Sequence, residues 1–205
     1  MQNNFYDKLY SMNSMDMLNK FSDDKVHAKE VERLSLIIFE ETHKKIKELP
    51  NRHKDYLQAA AFLHDIGYYK KETGHNKHSQ QMILEHGLDG FKELEKEIIS
   101  CIARYHKGGL PDKKTHDIYC HLEKKERKIV KRLGGILKLA DGLDADHKNL
   151  VDNVEIKYNE EYNITEIIIT PKNFDYLPNL TPAIRKRDLF EIGFKTQTIL
   201  KFKNN

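Results

Sequence analysis

The chain has 205 residues, 39% of them hydrophobic, and a formal net charge of +3, which allows one main core and a small appendage. So mild a charge, without a basic tail or arginine stripe, leaves nucleic acid unsupported as a partner, and no apolar run reaches the ~20 residues that cross a bilayer. Met1–Phe5 lacks the regions of a signal peptide, and Cys101 and Cys120 are too few for a disulfide scaffold and lack a paired metal-binding spacing, so a soluble cytoplasmic protein is expected.

Residues 6–20 carry a modest amphipathic pattern and predict a helix. Ser22-Asp23-Asp24 supplies capping side chains for a second helix, along which Val31, Leu34 and Ile38 share one face. Leu49-Pro50-Asn51 ends it. Tyr56 through His64 predicts a third helix, with Gly67 suited to a left-handed stop. A short helix over 77–86 and a longer one over 91–106 follow, the latter carrying Ile98, Ile99 and Ile102. Gly108-Gly109-Leu110-Pro111 reads as a loop. A long helix then runs from about Lys124 to Asp146, with Leu133, Ile136, Leu137 and Ala140 turned inward.

Past Asn149 the period changes. Val154–Tyr158 and Ile164–Thr170 read as strands joined by the polar turn Asn159-Glu160-Glu161. A helix within Pro178–Phe190 and a third strand over Thr196–Lys201 complete the chain. The expected fold class is mostly α. A helical domain spans 1–149, and a small α+β appendage of antiparallel strands plus a helix spans 150–205. An isolated hairpin is marginal, so the appendage should pack on the helices.

Histidine is the unusual component, with 11 residues. His27 lies four residues before Val31 and seven before Leu34; His64 lies four after Ala60. His106 lies four after Ile102, and Asp141 four after Leu137. Each therefore sits on the apolar side of its own helix. The His64-Asp65 pair offers a nitrogen and an oxygen ligand from one turn. A lone histidine on a core face is commonly a satisfied core residue, but an unpaired His or carboxylate there is costly. Several helices directing such groups inward, in the order His…His-Asp…His…His…Asp, point to a metal centre. His78 and His75 are alternatives for the position after Asp65. His43, His53, His86, His116, His121 and His147 lack this placement and read as surface residues; Cys101 reads as helix packing.

That order resembles the HD superfamily of metal-dependent phosphohydrolases. From about residue 20 onward, the chain is similar to the C-terminal HD-type region of the exopolyphosphatase/guanosine-pentaphosphate phosphatase family. The similarity is carried by His27-Ala28-Lys29-Glu30-Val31, Ala59-Ala60-Ala61-Phe62-Leu63-His64-Asp65-Ile66-Gly67, and His75-Asn76-Lys77-His78-Ser79. It continues in Ile102-Ala103-Arg104-Tyr105-His106, Leu137-Lys138-Leu139-Ala140-Asp141-Gly142-Leu143-Asp144 and Arg185-Lys186-Arg187-Asp188-Leu189-Phe190.

The resemblance implies that His27, His64, Asp65 and Asp141 hold one metal, and that Asp65 bridges to a second completed by His78 and His106. His78 is preferred over His75 because in related HD proteins this ligand begins a helix entered through a His-Ser or His-Gly step. Imidazole and carboxylate together suit Mn, Fe, Co, Ni or Zn, as one ion or two. Such a centre would activate water against a phosphate ester or phosphoanhydride, in a nucleotide or short polyphosphate. Asp65, Asp144 and Lys138 are the expected catalytic residues, with Asp144 either taking a proton or orienting a ligating histidine. Lys77, Arg104, Lys107, Lys138 and Arg185 are the expected phosphate contacts, and Lys186 and Arg187 could reach a polyanion from the appendage.

Members of that family carry a large N-terminal actin-like phosphatase domain with glycine-rich phosphate loops. This chain has no room for it, so hydrolysis would have to come from the HD centre. The competing expectations are a nucleotide phosphodiesterase using the same centre and a non-catalytic module sensing polyphosphate or guanosine tetraphosphate. A homodimer is compatible with either.

Overall fold

The computed structural model describes residues 11–204. The first helix, α1, spans Ser14–Phe21, with the Asn13 side chain accepting from the Asp16 amide at its start. Residues 6–10 of the expected 6–20 helix lie outside the described residues. Helix α2 (Lys25–Lys45) is capped by Asp24, whose side chain accepts from the His27 amide, and it buries Val31, Leu34 and Ile38. Helix α3 (Asn51–Leu63) starts after Pro50 and buries Ala59, Ala60 and Ala61. A short 3-10 helix, Ile66–Tyr69, follows. Helix α4 spans His75–His86, α5 spans Glu93–Arg104, and a short α6 covers Asp117–His121. The long helix, α7, runs Lys124–Leu143.

Strands β1 (Val151–Asn159) and β2 (Ile164–Pro171) form the expected antiparallel hairpin. The single helix expected in Pro178–Phe190 is instead two short ones, α8 (Thr181–Lys186) and α9 (Asp188–Phe194), ahead of β3 (Gln197–Phe202). Strand order is β1-β2-β3, and β3 pairs with β2 in parallel, starting at Ile164↔Gln197. The α8–α9 crossover returns the chain to the end where β2 began, so β3 must run in the same direction as β2. The sheet is mixed rather than antiparallel throughout.

Helix α7 is the spine. It touches α2, α3, α5, α8 and α9, and every residue from Leu133 to Leu143 is buried. Two glycines let the appendage helices approach it closely. A Cβ at Gly135 would lie 2.6 Å from the Phe190 backbone, and one at Gly142 would lie 2.6 Å from Ala183 Cα. The sheet packs on α2, where Arg33 donates to the carbonyls of Val151 and Asp152 and Glu41 accepts from the Ile156 amide at 3.1 Å. This capping of an edge-strand amide by a helix side chain leaves that group satisfied. Among the described residues no helix is long and apolar enough to cross a membrane.

Gly67 departs from the expected left-handed stop, because its φ is not positive. Its requirement is steric: a Cβ there would lie 1.9 Å from the His75 carbonyl oxygen and 2.5 Å from the Ser79 amide nitrogen. The backbone after α3 thus presses directly on the start of α4.

Replacing a helix-interior glycine by alanine ordinarily stabilises by about 0.5–1 kcal/mol. At Gly135 the new methyl meets backbone that cannot swing aside, so Gly135→Ala is expected to destabilise by about 1–3 kcal/mol. Urea unfolding reads the sign directly; a raised midpoint would mean that α7 and α9 do not meet at this point.

Candidate metal centre

Five helix ends supply the cluster. His27 stands in the first turn of α2, His64 at the C-terminal cap of α3, and His75 at the start of α4. His106 follows the end of α5, while Asp141 occupies the last turn of α7. Asp65 follows His64 directly. His27, His64 and His106 are at most 2% exposed, and Asp141 is 6% exposed.

Two triads result, His27–His64–Asp141 and Asp65–His75–His106, and the donor atoms of each lie within 4.8 Å of one another. Asp65 joins them. Its Oδ2 lies 3.4 Å from His64 Nε2 and 4.0 Å from His27 Nε2. Its Oδ1 lies 3.3 Å from His75 Nε2 and 3.2 Å from His106 Nε2. Asp141 Oδ1 completes the first triad at 3.4 Å from His27 Nε2 and 3.9 Å from His64 Nε2. Ligands of one first-row ion, each bonded at about 2.0–2.2 Å, stand roughly 3–4 Å apart. The spacings fit.

The ring orientations decide what these atoms can do. His64 Nδ1 donates to the Ala61 carbonyl at 2.7 Å, His106 Nδ1 to Ala103 at 2.7 Å, and His75 Nδ1 to Glu72 at 3.0 Å. His27 Nδ1 donates to Asp144 Oδ2 at 2.8 Å. With every Nδ1–H committed outward, the neutral rings turn lone pairs toward one another at Nε2. His75 Nε2 and His106 Nε2 meet at 3.3 Å, a contact that needs a cation or an added proton between two acceptors. His27 Nε2, His64 Nε2 and Asp65 Oδ1 are buried with no hydrogen-bond partner among the described residues. Outward anchoring with inward lone pairs is the arrangement by which proteins orient histidine ligands. The donor set is compatible with a divalent metal.

Charge balance agrees. Burial pulls the His27 imidazole down, yet the carboxylates of Asp141, 3.4 Å from Nε2, and of Asp144 push it up to about 9. Burial opposes the ionised form of Asp65, but His64 and His106 hold that carboxyl well below the usual range. Asp141 is held low in the same way against burial, by His27 and by the Lys186 ammonium. The cluster demands positive charge, and protons fill that demand when no other cation does.

The structure brings together His27, His64, Asp65, His106 and Asp141, with Asp144 behind His27. It puts His75, not His78, in the cluster. Helix α4 begins at 75 rather than 77, and the Gly67 contact presses its first turn against the segment following Asp65. His78 lies one turn farther on and is half-buried. Ser79 secures the junction, its hydroxyl accepting from the Gly67 amide at 2.9 Å and donating to the His64 carbonyl at 2.6 Å.

Several expected phosphate contacts are committed elsewhere. Lys138 is buried and bridges to both Asp188 oxygens at 2.7 and 3.0 Å, because a buried ammonium needs a carboxylate. Arg104 donates to Gln80 Oε1 at 2.7 Å. Lys77, Lys107 and Arg185 are exposed. Lys186 instead reaches Asp141 Oδ2. His147 is exposed, as expected, and also engaged: its ring stacks flat on His27, 3.8 Å between centroids and 7° between planes, with Nδ1 2.6 Å from Asp24 Oδ2. It sits in a turn past α7 at φ 53°, where helical spacing carries no signal. Tyr68 likewise stacks on His75 at 4.0 Å.

The family model described as Ppx/GppA phosphatase, domain III, matches residues 11–188 of the chain. No curated protein matches it.

His75→Ala is expected to weaken manganese binding by roughly 10–100-fold or more, the range seen even for outer partners of a ligand, while His78→Ala leaves it near wild type. Titration calorimetry on the two variants decides, and the reverse order would return the position to His78. Metal binding must also displace the His27 proton at any pH below about 9. Affinity should therefore rise as pH increases from 6.5 toward 9, with protons released. Calorimetry in buffers of different ionisation enthalpy counts them, and a flat profile would contradict the protonated cluster.

Proposed function

The chain belongs to the Ppx/GppA phosphatase domain III family, and from that premise we propose that it is a metal-dependent phosphohydrolase of the HD type. The observation that carries this is Asp65, one carboxylate with an oxygen facing each triad. His27, His64 and Asp141 would hold one divalent ion, and His75 and His106 with Asp65 a second; Mn, Fe, Co, Ni and Zn all suit mixed nitrogen and oxygen donors. Such ions supply an acidified water and polarisation of a phosphoryl oxygen.

The chain's own residues do the rest. Asp144 fixes the His27 ring by accepting its Nδ1–H, a positioning role that leaves Nε2 directed inward. Ala61, Ala103 and Glu72 carbonyls do the same for His64, His106 and His75. Ser79 holds α4 against the His64 turn, which keeps the second triad beside the first. Lys186, 23% exposed at the edge of the cluster, is the cation best located to meet a phosphate oxygen, in place of Lys138. Lys107, next to His106 in the chain and exposed, is the other candidate. The substrate is a phosphate ester or phosphoanhydride.

The purified protein with added manganese should release phosphate from p-nitrophenyl phosphate or a phosphorylated metabolite. His64→Ala/Asp65→Ala should lower that rate by at least the roughly 100-fold that loss of one outer partner can cost. Equal turnover in the double variant would sink the assignment. Metal and phosphate binding without turnover would make the chain a binding module instead.

A further inference from the structure

Beside the cluster lies a cleft of about 290 Å³, whose walls include Phe21, Asp23, Asp24, Asp65, Tyr68 and His147. Its volume is close to the ~300 Å³ at which small-molecule pockets begin, room for one ring system. Two of its walls are aromatic rings already braced from behind. Tyr68 stacks on His75 yet is 46% exposed, and His147 stacks on His27 with its side chain also 46% exposed. Each ring thus joins a histidine of the cluster to the cleft.

The charges in the cleft select against a linear polyanion. None of the described residues lining it is lysine or arginine, and away from the Asp65 cluster it carries two further aspartates, Asp23 and Asp24. Asp24 is occupied by the His27 amide and His147. Asp23 is exposed, and no described residue hydrogen-bonds its side chain, so its carboxylate remains an acceptor on the rim. A chain of phosphates laid against these carboxylates would be repelled. A neutral planar heterocycle bearing an amine meets ring faces and an acceptor.

We infer that this cleft is a base subsite: it takes the heterocycle of a nucleotide whose phosphate lies at the Asp65 cluster, with Tyr68 and His147 as stacking surfaces and Asp23 accepting from an exocyclic amine. The phosphate end of this assignment rests on the phosphohydrolase proposal above; the cleft itself does not. Stacking of a base on an aromatic side chain raises affinity by roughly five- to hundredfold.

Equilibrium binding to the manganese-loaded protein compares AMP, IMP, ribose 5-phosphate and inorganic tripolyphosphate. AMP is expected to bind about tenfold more tightly than ribose 5-phosphate, which lacks the ring. It should also exceed IMP, which carries a keto group where AMP carries its amine. Tyr68→Leu should bring the ratio of AMP to ribose 5-phosphate affinity toward one, and Tyr68→Phe should keep it. Equal affinity for AMP and ribose 5-phosphate in the wild-type protein, or tighter binding of tripolyphosphate than of AMP, overturns the subsite. If no ester is hydrolysed but the AMP preference persists, the subsite stands and the phosphohydrolase assignment fails. If esters are hydrolysed without that preference, the phosphohydrolase assignment stands and the subsite fails.

Discussion

Positive charge has to stand among Asp65, Asp141 and the imidazoles around them. Two carboxylates at the bottom of a helical core cannot remain ionised there without it, because burial in a low-dielectric interior penalises every uncompensated charge. The four histidines do not meet that need as neutral rings, since their Nδ1 hydrogens are spent on Asp144 and three backbone carbonyls. What faces the carboxylates is a set of lone pairs. A proton or a metal ion must fill the gap, and the geometry around it is arranged for the choice.

Helix ends are the natural source of such a site. The carbonyls that anchor His64 and His106 belong to the last turns of α3 and α5, where backbone acceptors lack partners within the helix. The same hydrogen bond therefore engages a helix-terminal carbonyl and orients a ring. Asp24 does double duty at the opposite kind of terminus, capping α2 through the His27 amide while gripping His147. Because the site is assembled from termini, small shifts in where a helix starts decide which side chain enters it. His75 and His78 differ by one turn, and the Gly67 contact makes the first of them the one beside Asp65.

The appendage is tied to the centre by charge as well as by close packing. Lys138 of α7 pairs with Asp188 at the start of α9, and Asp141 of α7 pairs with Lys186 at the end of α8. These reciprocal contacts lie between Gly135 and Gly142, the points at which α9 and α8 meet α7. Removing one partner would leave a buried charge alone, a costlier change than losing a surface pair. The basic run Arg185-Lys186-Arg187 accordingly divides into distinct roles: Arg185 is exposed, Lys186 reaches the cluster, and Arg187 lies near Glu191.

Local pattern was enough to locate most helices and to set His27, His64, His106 and Asp141 on apolar faces, because a 3.6-residue period is written in neighbours a few positions apart. The helical body and the strands after Asn149 were legible for the same reason. Helix starts, turns and partners were not. The entry of His75, the stacking of His147 and Tyr68, the diversion of Lys138 to Asp188 and the parallel pairing of β3 all depend on contacts between segments far apart in the chain. A helix's own sequence says which side faces inward, but only the packing of its neighbours says what that side will meet.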